Sequence, residues 1–341
     1  MRKFFGFLIL FGSLAIGWIY MDFQQFAETP LHVENKRASY VVVPGANLKA
    51  VARDLHDRGI IAHPTYLVWL AKWRGVGGNI KAGEYQLTSA MTPMHLLESF
   101  VAGKVVQYSL TLVEGWNFRQ VMAAVNSHPK LVHTLTGLTD QQIMAKLGWP
   151  DQHPEGRFYP DTYQFSGGFS DAAFLQRAYR LMEQRLEEAW RERVSGLPYK
   201  TPYEALVMAS IVEKETAVPA ERPKIAGVFV RRLAIGMPLA TDPTVIYGLG
   251  AAFDGDLRKQ DLLADGPYNT YRRTGLPPTP IAMPGFAALQ AALHPAQGKE
   301  LYFVARGDGS HYFSATLEEH NNAVAKYQGA SINSLKPRGR R

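Results

Sequence analysis

The strongest apolar pattern opens the chain. Arg2 and Lys3 precede an uncharged run from Phe4 to Tyr20, about 17 residues, close to the shortest stretch that spans a bilayer as a helix. Trp18 and Tyr20 stand at its far end, where amphipathic rings favour the interface, and Asp22 closes it. Positive charge on the near side predicts a single-pass anchor over residues 1–22 with the rest of the chain outside the cytoplasm. A cleaved signal peptide competes with this reading, since Gly12, Ser13, Ala15 and Gly17 are small, but no small-x-small site precedes a polar start. Residues 23–38 are polar without clear periodicity and are expected to form a spacer.

Alternating and helical patterns then predict a compact module over 39–105. Tyr40-Val41-Val42-Val43 reads as a strand. Leu48, Val51, Ala52 and Leu55 mark one helix face, and Leu67, Leu70 and Trp73 a second. After Gly75-Val76-Gly77-Gly78 comes a short strand at Ala82–Leu87, then a helix from Thr92-Pro93 to Gly103. This order, with the Val-x-x-Gly and Ala-Gly-x-Tyr turns, resembles a LysM-like module, a class that lies along GlcNAc-containing glycans; a plain packing domain is the alternative. A larger domain, 106–330, restarts with the strand Ser109–Val113. It continues through helical stretches at 118–125, 140–147 and 171–193, with a loop at 154–163. The predicted fold class is α+β, and residues 331–341 read as a basic, solvated tail.

Composition narrows the chemistry. The chain has 341 residues, a formal charge of +7 and no cysteine. The charge favours acidic partners, and no nucleic-acid motif accompanies it. Without thiols, function rests on oxygen and nitrogen groups. There is no H-E-x-x-H, G-x-S-x-G or Walker loop. Neither a metal nor a cofactor is expected, and His294, before a proline, reads as structural.

One segment concentrates candidate chemistry. Thr201-Pro202-Tyr203-Glu204 is a helix start, with a capping hydroxyl, proline at the first position and Glu three residues after the cap. Ala205–Val212 is apolar nearly all round, so the helix is predicted to be buried, and it ends in Glu213-Lys214-Glu215-Thr216. Glu213 shares a face with Leu206, Ala209 and Ser210; burial and the helix dipole would both favour its neutral acid form, as a general acid requires. The alternative is a structural ion pair of Glu213 or Glu215 with Lys214, Arg222 or Arg231. Downstream, Tyr268-Asn269-Thr270-Tyr271 and Gly275-Leu276-Pro277-Pro278 supply aromatics, amides and hydroxyls suited to sugars.

Ala209–Thr216, Thr241-Asp242-Pro243-Thr244-Val245-Ile246-Tyr247-Gly248, Tyr268–Tyr271, Gly275–Pro278 and His294-Pro295-Ala296 together resemble the endolytic murein lytic transglycosylases of the YceG-like (MltG) family. The likeness extends from the anchor to about Tyr327. It implies a protein of the cell inner membrane, with the bulk of the chain periplasmic, that cleaves MurNAc–GlcNAc linkages in nascent peptidoglycan strands and leaves 1,6-anhydro-MurNAc ends near the peptidoglycan synthases. It places the catalytic glutamate on Glu213, with Glu215 as competitor because residues two apart on a helix face different sides. Thr241, Asp242, Asn269 and Tyr271 are candidates for positioning substrate or, alternatively, for holding loops. Arg222 would hold a lactyl or stem-peptide carboxylate or else a structural pair. One carboxyl suffices for the lytic reaction. A muramidase would want a partner such as Asp161, Asp242 or Glu215, and a non-catalytic cell-wall scaffold would need only the module and anchor.

Overall fold

A computed structural model describes residues 2–328, with the side chains of Arg2, Lys3, Phe5, Gly6, Leu8 and Asn35 left out. The expected basic tail lies outside the described residues. The chain divides into two compact units, one of residues 1–109 with 164–169, the other of residues 110–163 with 170–341.

The first unit opens with helix α1 (Arg2–Glu28). Its elements then run β1 (Arg37–Val42), α2 (Leu48–Asp57), α3 (Pro64–Trp73), β2 (Gly83–Thr88) and α4 (Pro93–Ala102). β1 and β2 pair antiparallel with Tyr40 opposite Tyr85. Period-two alternation sends Tyr40 and Val42 inward and leaves Val41 exposed. They join Leu55, Leu67, Leu70, Leu96 and Phe100 in one core. Asn47 and Thr92 cap α2 and α4 through their side chains, and Gly103 ends α4 in the left-handed region at φ 70°.

The expected spacer is corrected by the structure. Residues 23–28 continue α1, and Phe26, Ala27 and Leu31 are buried in the core. The rings of Phe23 and Phe26 meet Tyr66 edge-on at 5.7 and 5.6 Å. Burying these rings outweighs the polar residues that share the segment. The expected membrane-spanning run falls partly outside the described side chains. Among the described residues no helix is long and apolar enough to cross a membrane, since the part after Leu8 shades into Asp22, Gln24 and Gln25.

The chain passes to the second unit through β3 (Gln107–Thr111), and β4 (Thr162–Ser166), its sheet partner, extends what was expected to be loop. Helices dominate thereafter: α5 (Phe118–Ser127), α6 (Asp140–Leu147), α7 (Asp171–Arg191), α8 (Pro202–Glu215), α9 (Arg222–Ala234), α10 (Asp242–Leu249), α11 (Lys259–Leu263) and α12 (Phe286–Leu293). A hairpin, β5 (Tyr302–Ala305) and β6 (His311–Ser314), and α13 (Leu317–Tyr327) complete it. The architecture is α+β, helix-rich with small sheets. Asp242-Pro243, expected as a turn, instead starts α10, because proline at the second helical position needs no N–H partner.

Helix α8 is the centre of this unit and contacts α7, α9, α10 and α12. Every residue from Ala205 to Val212 is buried, which its all-round apolar sequence requires. Its one interior hydroxyl, Ser210, is satisfied: Oγ donates to Val207 O at 2.7 Å and accepts from Ile281 N at 3.0 Å.

Candidate active site

Thr201 caps α8 as its sequence predicts, accepting from Glu204 N at 3.3 Å. The helix stops where Thr216 turns extended, three residues ahead of Pro219. Its last turn therefore fans Glu213, Lys214 and Glu215 around the axis, and the two carboxyls go to different surroundings.

Glu213 is nearly enclosed, its side chain 6% exposed. Oε1 accepts from Arg222 Nη2 at 3.3 Å and Oε2 from Gly285 N at 2.9 Å. Arg222 stands at the first position of α9, brought back by the short turn after α8. Its side chain is 12% exposed, and its buried Nε has no acceptor among the described residues.

A second carboxyl, Glu114, meets the same glycine. A Cβ added to Gly285 would fall 1.9 Å from Glu114 Oε1, so the two acids approach Gly285 together. The turn bearing Glu114 is laced to the loop before α12 by Gly115 N donating to Met283 O (2.8 Å) and Met283 N to Trp116 O (2.7 Å). Lys214 Nζ donates to Gly115 O at 3.3 Å. Burial pushes the Glu114 carboxyl above its ordinary range, the nearby Glu213 adds to this, and Arg222 opposes it.

Glu215 belongs to another network. It accepts from the hydroxyl of Thr241, whose own N–H donates to Thr270 Oγ1 at 3.1 Å. Tyr271 OH donates to Asp242 Oδ1 at 2.5 Å. Burial raises Glu215 to about 7 against the Thr241 bond; Asp242 raises it further, while His311 and Arg232 lower it. Of the sequence candidates, Glu215, Thr241, Asp242 and Tyr271 thus gather together, and Glu213 and Arg222 form a separate pair. Asn269 is buried and its groups are spent on its own loop: Nδ2 donates to the carbonyls of Asp261, Leu262 and Ala264, and Oδ1 accepts from Tyr271 N. Its loop-holding alternative is what the geometry displays. His294 ends α12, and Asp161 accepts from Thr162 N at 2.7 Å.

Beside Gly115 and Lys214 opens a cavity of about 590 Å³, lined among others by Asn117, Gln120, Glu155, Tyr247 and Tyr268. Glu155, 3% exposed, accepts from Phe118 N at 3.0 Å and Tyr247 OH at 3.0 Å. Burial raises it to about 7 despite these bonds. Sequence reasoning left both Glu114 and Glu155 in turns without chemistry. The one signal they share is an acid directly before a glycine.

A carboxyl cluster at the end of a buried helix, an arginine on one acid and an adjoining cavity with tyrosines and amides define a protein equipped for acid–base chemistry. Among the described residues no group of side chains could hold a metal ion. The chain belongs to the YceG-like family, whose profile matches residues 40–326. It is 32% identical to an endolytic murein transglycosylase of Bacillus subtilis (strain 168), over 92% of this chain and 91% of that one. It is 26% identical to an endolytic murein transglycosylase of Streptococcus pneumoniae serotype 2, over 96% of this chain, and spans 65% of that relative's length. A crystal structure of a yceG-like protein from Listeria monocytogenes superposes with a TM-score of 0.55 at 30% identity, covering 85% of this chain and 99% of that one.

Proposed function

We propose that this chain is an endolytic murein transglycosylase that cuts MurNAc–GlcNAc linkages within peptidoglycan strands. The carrying observation is Glu213: it stands in the motif of the family to which the chain belongs, and it meets a second acid, a cation and a backbone N–H in one enclosed place.

In this reading Glu213, as the neutral acid, protonates the glycosidic oxygen, and the bond to the MurNAc anomeric carbon breaks through an oxocarbenium-like state. The resulting carboxylate takes the proton of the MurNAc 6-hydroxyl as that oxygen closes the 1,6-anhydro ring. The proton count returns to its start and no water enters. Substrate must first draw Arg222 away from Glu213. An acidic lactyl or stem-peptide group offers a second anion, and the unpaired Nε of Arg222 offers a further donor. Thr241, Asp242, Tyr271 and Glu215 hold the adjoining loop, and Asp242 with Tyr271 are its more accessible groups for positioning sugar.

The finer parts of the reading rest on sequence. The apolar run Phe4–Tyr20 serves as an inner-membrane anchor with the remainder periplasmic. The β1-α2-α3-β2 module is LysM-like and lies along glycan, and the peptidoglycan synthases are neighbours. For the anchor, the described apolar side chains of α1 from Ile9 to Met21 point to solvent rather than into a core. Glu114 gives hydrolysis a specific argument too, since a muramidase needs a second carboxyl.

The test is incubation of the purified chain with uncrosslinked glycan strands, beside Glu213→Gln, with product ends read by mass spectrometry. Anhydro ends that vanish in the variant support the lytic reading. Reducing ends would mean hydrolysis, and intact strands a non-catalytic scaffold.

A further inference from the structure

Helix α3 carries two large exposed rings, Trp69 (48% exposed) and Trp73 (68%), four residues apart and so on one face. Its contacts with α1 fix its direction. His63 meets Phe26 at 6.2 Å, Tyr66 meets both Phe26 and Phe23, and Tyr66 OH donates to Asp22 Oδ2 at 2.8 Å. The partners step backwards along α1 as they step forwards along α3, so the two helices run antiparallel. Trp73 lies seven residues past Tyr66, about 10 Å at 1.5 Å per residue. That carries the end of α3 back along α1 in the direction of Trp18. Tyr66 stacks on Trp69 at 5.5 Å and ties the aromatic face to this crossing.

We propose that the Trp69–Trp73 face of α3 lies in the headgroup layer of the membrane that holds α1. Two exposed tryptophans have apolar ring bodies and polar N–H edges, the composition that partitions to the bilayer interface, as do Trp18 and Tyr20 on α1. Lys72, exposed between them, complements anionic phosphates, while Arg74 beyond them is shared with Glu98 at 3.9 Å. The helix against which α3 packs also presents Trp18, Tyr20 and Met21 to solvent. Two attachments then fix the tilt of the first unit over the bilayer, where a lone helix would leave it free to swing.

The inference rests on α1 being an anchor, and the experiment separates the two. The chain has no cysteine, so Trp73→Cys and, separately, Trp18→Cys give single sites for an environment-sensitive fluorophore. Each full-length variant is reconstituted into phosphatidylethanolamine–phosphatidylglycerol vesicles and titrated with doxyl-labelled lipid and with aqueous iodide. Both labels are expected to lose about half their emission or more to the lipid quencher, the position-18 label at greater depth. If the position-18 label is quenched by lipid while the position-73 label answers only to iodide, α3 is off the membrane and the inference falls alone. If neither answers to lipid, the anchor reading itself fails. Protection of the position-73 label from iodide by soluble glycan strands, without lipid quenching, would assign the face to sugar and overturn the proposal.

Discussion

Arg222 Nη2 lies 3.3 Å from Glu213 Oε1, with both side chains almost out of solvent. A pair this enclosed is little solvated, so removing one member strands the other charge with only weaker compensation, from Gly285 N–H for Glu213 or from Glu114 for Arg222. Arg222→Ala is therefore expected to cost about 3 kcal/mol in a denaturant titration. Arg222→Ala combined with Glu213→Gln is expected to regain most of that, because a neutral amide needs no counter-charge. Equal losses in the single and double variants would mean that the arginine acts by packing alone.

Glu114 and Gly285 make a separable test of the second acid. Gly285 has φ −77° and ψ 172°, which alanine adopts freely, so Gly285→Ala strains no backbone. Its new methyl would run first into the flexible side chain of Glu114 and push it aside. The variant is expected to fold with a melting temperature near that of the parent while turnover falls on the order of tenfold, as in Glu114→Gln. Comparing pH–rate profiles adds a sign: the parent loses a titrating carboxyl in Glu114→Gln, so the profile should change shape as well as height. Unchanged turnover in both variants would remove Glu114 from the site.

The parts of this site that the sequence made legible are those written within one element. The Thr201 cap and the apolar circumference of Ala205–Val212 define α8 and its burial. Two-residue spacing on a helix separates Glu213 from Glu215, as their different networks display. What stayed hidden depends on distant chain segments. Glu114 acquires its surroundings from Gly285 and Glu213, Glu155 from Phe118 and Tyr247, and no local pattern encodes such meetings. The C-terminal end of α1 was hidden for another reason: Phe23, Phe26 and Ala27 are too few, among polar neighbours, to mark a period, although Tyr66 completes their packing. At Asp242-Pro243 the same two residues suit a turn or a helix start, and burial of Thr244 and Val245 decided for the helix.

Asp171 is expected to be a structural anchor of the second unit. It is fully buried and accepts from Thr134 N, Thr134 Oγ1, Leu135 N and Ala172 N at 2.6–3.0 Å. Burial alone would raise its carboxyl, but these donors together bring it below the ordinary range. A depressed folded value means stability present at neutral pH and lost as pH falls through the unfolded and then the folded value. Asp171→Ala leaves the buried N–H groups without acceptors and is expected to cost about 3 kcal/mol at pH 7. The deficit should shrink below about pH 4, where the unfolded parent's carboxyl begins to take up a proton while the folded one holds its charge. Urea midpoints of the two proteins at pH 7 and pH 3.5 measure this, and an equal deficit at both would refute it.

Glu155 carries the opposite sign. Its carboxyl moves from 4.5 to about 7 on burial, so the folded chain keeps a proton there that the unfolded chain has given up. Below 4.5 both states are protonated and the group is neutral to stability. Between 4.5 and 7 the unfolded state binds fewer protons, so stability declines as pH rises, and above 7 the full penalty stands. A shift of this size corresponds to roughly 3 kcal/mol. Glu215, raised to about 7 by its own burial, adds in the same direction. The parent is therefore expected to lose denaturant resistance between pH 5 and pH 8. Glu155→Gln keeps an oxygen to accept from Phe118 N and Tyr247 OH but cannot ionise, so its midpoint should vary less over that window and exceed the parent's at pH 8. A variant with the parent's slope would show that Glu155 is already ionised in the folded protein at pH 5, with the Phe118 and Tyr247 donors outweighing burial.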